Sequence, residues 1–396
     1  MPARKSHKSS RKRTPARRKK DPARKSGGAR AKTQKAQPAP AKVLIVNMIP
    51  KSLSGEDHQD SEPSIAVNPA NPLHIAASAF TPDPSEGPRA PIYVSTDGGR
   101  TATIDQALNG ADTKPGFTTT RIESRPPSSQ DGPPIRPAIH SDGTVYGVFH
   151  SWRSFNDSSG AGTADVVVVR DDQGGASPNP FTDLLDPSDH KSGIRVVRGA
   201  KFNFNGMLGL QRTGGDVGIA LDPKNSDIVY VAYNDDQPDG GYALHILRST
   251  DRGQTWSPEL KRVNNALNPA MAINTGGKLG LLYQQLSGGG ANQQWVTKFE
   301  TTTNGTSWSA LVLAQVPANR PPKQFDPYLG DYEHLMAVGK DFYGIFSANN
   351  TPKKANFPND VVYQRNVNWE TNTLLDIDNI TPVGISIDPF FFRAAG

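Results

Sequence analysis

The sequence predicts an all-β fold, a β-propeller of four-stranded blades, on three observations. Gly (37) and Pro (34) are abundant among 396 residues while the apolar share is only 35%, a composition of turns and short strands. Short apolar runs alternate with turn residues, with almost no helical periodicity. One opening pattern recurs five times, each time followed by further strands.

Taken in order, residues 1–42 come first. They hold 16 Lys+Arg against one acid, Asp21, with no aromatic residue and little apolar side chain beyond Ala. A segment able to bury so little is expected to be disordered. Clusters such as Arg11-Lys12-Arg13 and Arg17-Arg18-Lys19-Lys20 are expected to bind polyanions without sequence preference, since no aromatic is interleaved to stack on bases. The basic stretch is too long for a secretory signal, so a cytoplasmic location is the default expectation. Residues 43–396 carry 28 Lys+Arg against 37 acids, so a segment of charge +15 precedes a body of charge −9. The absence of cysteine excludes disulfides and thiolate chemistry, and no apolar run is long enough for a membrane-spanning helix.

The body, 43–396, reads as one propeller. The first repeat opens with Glu62-Pro63-Ser64-Ile65-Ala66-Val67 and continues through strands at 74–80 and 92–95. The second opens with Arg136-Pro137-Ala138-Ile139, followed by 144–150, 165–170 and 194–197. The third opens with Asp216-Val217-Gly218-Ile219-Ala220-Leu221, followed by 228–233 and 244–249. The fourth opens with Asn268-Pro269-Ala270-Met271-Ala272-Ile273, followed by 278–284 and 296–301. The fifth opens with Asp331-Tyr332-Glu333-His334-Leu335-Met336-Ala337, followed by 341–347 and 361–366. Segments 43–48 and 383–388 flank the repeats and could close a terminal blade, which leaves five blades and six both open. Two stacked β-sandwiches are the alternative, but they would not require the recurring opening strand.

A second motif lies in the turns. Ser249-Thr250-Asp251-Arg252-Gly253-Gln254-Thr255-Trp256 reads S-x-D-x-G-x-T-W. Residues Ser95, Asp97, Gly99 and Thr101 repeat it, with Ala102 at the Trp position. A degraded copy, 301–308, places Thr303 at the Asp position and ends in Trp308. In such a turn the Asp accepts bonds from turn amides, Gly supplies positive φ, and the hydroxyl caps. The motif resembles the Asp-box, or BNR repeat, of the sialidase-like propellers. The resemblance implies a structural role for these residues on the outer rim, away from the central cleft.

It also implies that the innermost strands open onto a central channel, bringing Glu62, Arg136, Asp216, Asn268, Asp331 and Tyr332 to one mouth. Wet channel mouths are polar without any function, so the grouping alone has a bland explanation. By resemblance the function is that of a sialidase-like glycoside hydrolase. Sialidases hold the substrate carboxylate with three arginines, for which Arg136, Arg365 and Arg248 are the candidates, with Asn268 as a further substrate contact. Guanidinium groups suit that task through their bidentate fork. Tyr332 or Tyr363 with Glu62 would form the nucleophile, and Asp331 or Asp216 the acid. The chain departs from the family pattern: Ile135-Arg136-Pro137 only permutes the early Arg-Ile-Pro, and the first repeat opens with Glu62. A glycosidase using Glu62, Asp216 and Asp331 fits the residue types equally well. The alternative is a non-catalytic glycan- or protein-binding propeller, in which Trp152, Phe155, Phe202 or Phe204 stack on sugars or simply pack between blades.

The segment running from Asp326 to Tyr332 and on to Asn350 is expected to form one wall of any site, with Gly330 letting the backbone pass close to a neighbour. No cofactor is expected. Asp57-His58, Asp60, Asp171-Asp172 and Asp235-Asp236 offer oxygens to Ca2+, but none has the spacing of a calcium loop.

Overall fold

In this computed structural model residues 43–80, 92–101, 103–105, 121–126, 135–203, 216–238, 241–322 and 328–396 are described. The basic segment 1–42, Ala102, Phe204 and Asp326-Pro327 lie outside the described residues. What is described is strand and turn, with three short 3-10 turns at Lys51–Leu53, Gly290–Asn292 and Lys354–Asn356.

The first strand, β1 (Val43–Asn47), leaves its neighbours in sequence and joins the far end of the chain. The first sheet then follows as a simple meander of β2 (Ser61–Val67), β3 (Ile75–Phe80), β4 (Ile92–Ser95) and β5 (Thr103–Asp105). The second holds β6 (Arg136–Ile139), β7 (Val145–Asn156), β8 (Ala161–Asp171) and β9 (Ile194–Asn203). The third holds β10 (Val217–Asp222), β11 (Asn225–Asp236), β12 (Tyr242–Ser249) and β13 (Lys261–Asn264). The fourth holds β14 (Ala266–Ile273), β15 (Leu279–Ser287), β16 (Gln294–Thr302) and β17 (Ser309–Pro317).

The fifth sheet is built from both ends of the chain. It contains β18 (His334–Val338), β19 (Asp341–Asn349) and β20 (Val362–Tyr363). A small hairpin of β21 (Asn366–Asn368) and β22 (Thr373–Leu375) stands apart, and β23 (Ile387–Ala394) completes the chain. The order across the sheet is β18-β19-β23-β1-β20. Two expectations change here. The strand that closes the sheet is 387–394 rather than 383–388, pairing antiparallel with β1 from Val43↔Ala394 to Asn47↔Phe390. The segment expected at 361–366 supplies only the two-residue β20 at the edge, parallel to β1. Among the described residues no sixth four-stranded sheet forms, because both flanking segments are used by the fifth.

Local chemistry makes these hairpins. Asn or Asp side chains close the first turn of four sheets by accepting a backbone N–H two residues on. Asn68 accepts from Ala70, Asp142 from Thr144, Asp222 from Lys224 and Asn274 from Gly276, each at 2.9 Å.

Packing then joins sheet to sheet. Tyr146, Val148 and Val166 of the second sheet pack on Val217, Ile219 and Val231 of the third. Ala232, Leu244 and Ile246 of the third meet Met271, Leu281 and Tyr283 of the fourth. Leu282, Phe299 and Leu313 of the fourth meet Phe342, Phe346 and Phe392 of the fifth. Tyr343, Ile345 and Phe391 of the fifth meet Ile65, Val67 and Tyr93 of the first. Each aromatic so buried stabilises the fold by roughly 2–3 kcal/mol. Gly99, in the turn after β4, permits one such close approach, since a Cβ there would lie 2.2 Å from Phe391 Cε1 of the fifth sheet.

Candidate functional site

The opening strands of all five sheets contribute to one cavity of about 320 Å3. Its walls are Pro63 and Ser64 on β2, Arg136 and Pro137 on β6, residues 216–219 entering β10, 269–271 on β14, and 332–335 entering β18.

Arg136 and Asp216 form the charged pole. Asp216 is 2% exposed, and its Oδ1 accepts from Arg136 Nε at 3.1 Å and from the Val217 N–H at 2.8 Å. Its Oδ2 accepts from Arg136 Nη2 at 2.6 Å, which completes a bidentate fork. Burial works against both charges. At Arg136 the facing Asp216 carboxylate outweighs it and holds the guanidinium above its ordinary range. Burial lifts Asp216 above the usual carboxyl range while Arg136 pulls it back. Three N–H donors on its two oxygens, two of them from a guanidinium, favour the ionised form.

Tyr332 lies under this cation, with the Arg136 guanidinium carbon 4.7 Å from its ring centroid. Burial, and next the negative charge of Glu62, push the phenol above its ordinary pKa, and Arg136 opposes them. Glu62 sits in a β-bulge with φ of +54°, where the register of β2 on β3 shifts between Ser61 and Ser64. Pro63 cannot donate to the ladder, which is a local reason for the bulge. Glu62 Oε1 accepts the Asp331 N–H at 3.3 Å. Gly330, at φ of +92°, passes directly against it: a Cβ there would fall 2.6 Å from the Glu62 nitrogen. Asp331 itself is buried beside the wall, and the lining begins at Tyr332.

Several expected site residues stand elsewhere. Asn268 is fully buried in the bulge of β14, with φ of +56°, and donates to the Gly330 carbonyl at 3.1 Å and to Gln284 Oε1 at 3.2 Å. It braces the cavity wall from behind. Arg365 is sealed in the fifth sheet, where it pairs with Asp388 and donates to the Glu56 carbonyl at 2.5 Å. Both side chains of that pair are fully buried, so Arg365 cannot meet a substrate. Arg248 lies on β12, two strands out from β10, and is not in the lining. Tyr363 donates its hydroxyl to the Asn350 carbonyl at 2.9 Å, away from the cavity. Trp152 and Phe202 pack together under Tyr242 with ring centroids 5.1 Å apart, which is interior packing.

The turn residues lie outside the lining. Ser249 Oγ donates to Asp251 Oδ1 at 2.7 Å and accepts the Gly253 N–H at 2.8 Å. Asp251 accepts the Thr255 N–H at 2.9 Å and its hydroxyl at 2.5 Å, while Trp256 donates to the Gly253 carbonyl at 3.1 Å. Ser95, Asp97, Gly99 and Thr101 repeat the set at 2.7–2.9 Å. At Asp97 and Asp251 burial disfavours the charge, but these bonds outweigh it and hold both carboxyls below their ordinary range. In the third copy the alignment shifts by one residue. Asn304, not Thr303, takes the Asp role, accepting the Thr306 and Ser307 N–H groups at 2.9 Å each. An amide oxygen accepts as a carboxylate does, so the turn survives the loss of charge.

The carboxylates offered to Ca2+ are in part engaged in the fold. Asp171 accepts from the Gln173, Gly175 and Phe181 N–H groups and the Ser177 hydroxyl. Asp235 meets His245 Nε2 at 2.9 Å. Ligand atoms of Glu56, Asp57 and His58 lie within 4.8 Å of one another, with His58 Nδ1 2.6 Å from Glu56 Oε1.

Two lining residues, Glu333 and His334, escaped the sequence reading. His334 Nδ1 accepts the Ile65 N–H at 3.2 Å, and burial, then Arg136, lower its pKa. Glu333 is 5% exposed, and both carboxyl oxygens are buried without a hydrogen-bond partner among the described residues. The sequence did hold a signal. The position two after each repeat opening is Ser64, Ala138, Gly218 and Ala270 in four repeats, and Glu333 in the fifth. A carboxyl group stands where the other repeats keep a small residue.

No family model matches the chain. No curated protein matches it either. Among solved structures, it is similar to a protein of unknown function from Dyadobacter fermentans at 12% identity, covering 90% of this chain and 98% of that one, with a TM-score of 0.38. An α-L-arabinofuranosidase from Podospora anserina matches at 12% identity over 90% and 97% of the two chains, TM-score 0.35. An endo-arabinase from Bacteroides thetaiotaomicron matches at 13% identity over 76% and 92%, TM-score 0.32. Likeness at this level establishes neither a shared family nor a shared activity. Among the described residues no helix is long and apolar enough to cross a membrane.

Proposed function

We propose that the chain is a glycoside hydrolase whose active site is the cavity shared by the opening strands, and that the five sheets are the blades of a closed five-bladed propeller. The observation that supports this most is the chemistry gathered at one cavity: a carboxylate fixed by Arg136 at Asp216, and a phenol, Tyr332, lying under Arg136 and within the field of Glu62. In this reading Tyr332, with Glu62 as its base, attacks the anomeric carbon. Asp216 and Arg136 order the sugar hydroxyls, and Asp331 holds Glu62 in place. A tyrosine nucleophile is a known variant of the two-carboxylate scheme.

The substrate is read as a glycoside of a neutral sugar rather than a sialoside. A three-arginine clamp is not assembled: of Arg136, Arg248 and Arg365 only Arg136 lines the cavity, and its fork is taken by Asp216. A panel of fluorogenic glycosides, neutral and sialylated, tests the reading with wild type, Asp216→Asn and Tyr332→Phe. The expected result is turnover of one neutral glycoside, lost by 100-fold or more in Tyr332→Phe, in the range of a nucleophile deletion, and weakened mainly through KM in Asp216→Asn. Folded wild-type protein that hydrolyses nothing, or variants that keep full activity, would reject it in favour of a binding propeller. The +15 segment 1–42 is proposed to bind polyanions. Heparin binding that weakens steeply with salt supports this, and no binding at low salt refutes it.

A further inference from the structure

We infer that Glu333 is the proton donor of this cavity, delivering a proton to the glycosidic oxygen as the bond to the anomeric carbon breaks. The inference rests on the glycoside-hydrolase reading and adds to it a residue absent from the sequence-derived set.

Three observations carry it. Glu333 lines the cavity, at the one repeat position that is Ser, Ala, Gly or Ala in the other sheets. Its two carboxyl oxygens are closed to water and have no hydrogen-bond partner among the described residues. No cation faces it. The ionisable groups around it are Asp331, Tyr332 and His334 on its own segment, Glu62 at the start of β2, and Arg136 and Asp216, which are committed to each other. Neither β14 nor β15 brings a charged side chain against it, and Tyr283 is bonded to Glu300 at 2.6 Å.

A carboxyl group so placed stays protonated: burial alone pushes it well above the ordinary carboxyl range. The cavity therefore holds one ionised carboxylate, Asp216, and one neutral acid, Glu333. Of the two, only the neutral acid has a proton to deliver. A neutral acid with no acceptor also has a reason to engage a ligand. Leaving a buried polar group unsatisfied costs roughly 1–3 kcal/mol, and a glycosidic oxygen in the cavity supplies the missing acceptor once the side chain turns toward it. The step balances as hydrolysis. The Glu333 proton goes to the leaving oxygen, and the C–O bond electrons stay with that oxygen. The Tyr332 oxygen bonds the anomeric carbon as that bond breaks, its proton passing to Glu62. Water then attacks the anomeric carbon and gives a proton back to Glu333, while the bond to Tyr332 breaks and Tyr332 recovers its proton from Glu62.

The test compares glycosides of one sugar whose leaving groups differ, a dinitrophenyl glycoside that needs no protonation and a methyl glycoside that does. Glu333→Gln is expected to lose 100-fold or more on the methyl glycoside, yet stay within a few-fold of wild type on the dinitrophenyl glycoside. Wild type alone supplies a second readout, an alkaline limb of kcat/KM well above the usual carboxyl range that disappears in Glu333→Gln. Equal losses on both substrates, no loss, or an unchanged alkaline limb overturn the assignment while leaving the hydrolase reading intact. Absence of wild-type turnover on every glycoside overturns both. Infrared difference spectra of wild type minus Glu333→Gln give a readout independent of turnover: a protonated carboxyl band at pH 7 is expected, and a carboxylate band refutes the inference.

Discussion

Replacing Arg136 by Met removes a guanidinium and keeps a side chain that can cover Tyr332. Asp216 then retains one of its three donors, the Val217 N–H. Breaking a buried ion pair by removing one partner costs about 3–5 kcal/mol because the remaining charge stays desolvated. The Asp216 side chain is 3% exposed but that of Arg136 is 28% exposed, so the lower end applies, about 3 kcal/mol. That is a factor of roughly 150 in the unfolding equilibrium. The loss should depend on pH. Burial already raises Asp216 with Arg136 present, and without the cation its folded pKa rises further above the unfolded value. Folding then takes up a proton between those two values, so the variant loses stability as pH rises through that window and recovers as Asp216 is protonated. Urea unfolding at pH 4 and pH 8, for wild type, Arg136→Met, Asp216→Asn and the double variant, measures the effect. The double variant should regain most of the loss at pH 8. A single variant within 1 kcal/mol of wild type at pH 8, or a double variant no better than Arg136→Met, would refute the account of a buried and coupled pair.

Other perturbations separate structure from site. Because burial raises Glu333, wild-type stability should fall by up to about 1.4 kcal/mol per pH unit above the ordinary carboxyl range, and Glu333→Gln should flatten that slope in the same urea series. Arg365→Met should destabilise by about 3–5 kcal/mol, as for any buried pair cut on one side, while KM of the protein that remains folded stays unchanged. Asn304→Ala should cost about 1–2 kcal/mol in thermal or urea unfolding, and Thr303→Ala under about 0.5 kcal/mol, which distinguishes the two alignments of the third turn.

Much of the fold was legible because its determinants are short-range. Each Asx turn joins residues two apart, and the Ser249–Asp251–Thr255 turn closes within seven residues. The recurring openings at Glu62, Arg136, Asp216, Asn268 and Asp331 marked the strands that later meet at the cavity. The third turn was misaligned for the same local reason. Thr303 and Asn304 are adjacent, and the sequence favours neither until the Thr306 and Ser307 amides are seen to point at one of them.

The residues misplaced or missed are those whose role depends on distant partners. A free guanidinium binds carboxylate ligands, which is what the sequence suggests for Arg365, but Asp388, buried beside it, is its partner. Asn268 was grouped with the mouth, and only the approach of Gly330, sixty-two positions away, turned its amide into a brace. β1 finds its place through β23 and β20, more than 300 positions along the chain. Glu333 shows the limit most clearly. In the sequence it is an ordinary acid beside a tyrosine and a histidine, and its meaning lies in what surrounds it. Hydrogen bonds across two to four residues can be read from residue types, because the backbone leaves them few alternatives. Burial and the absence of a partner are set by all the sheets together, and so by the tertiary structure alone.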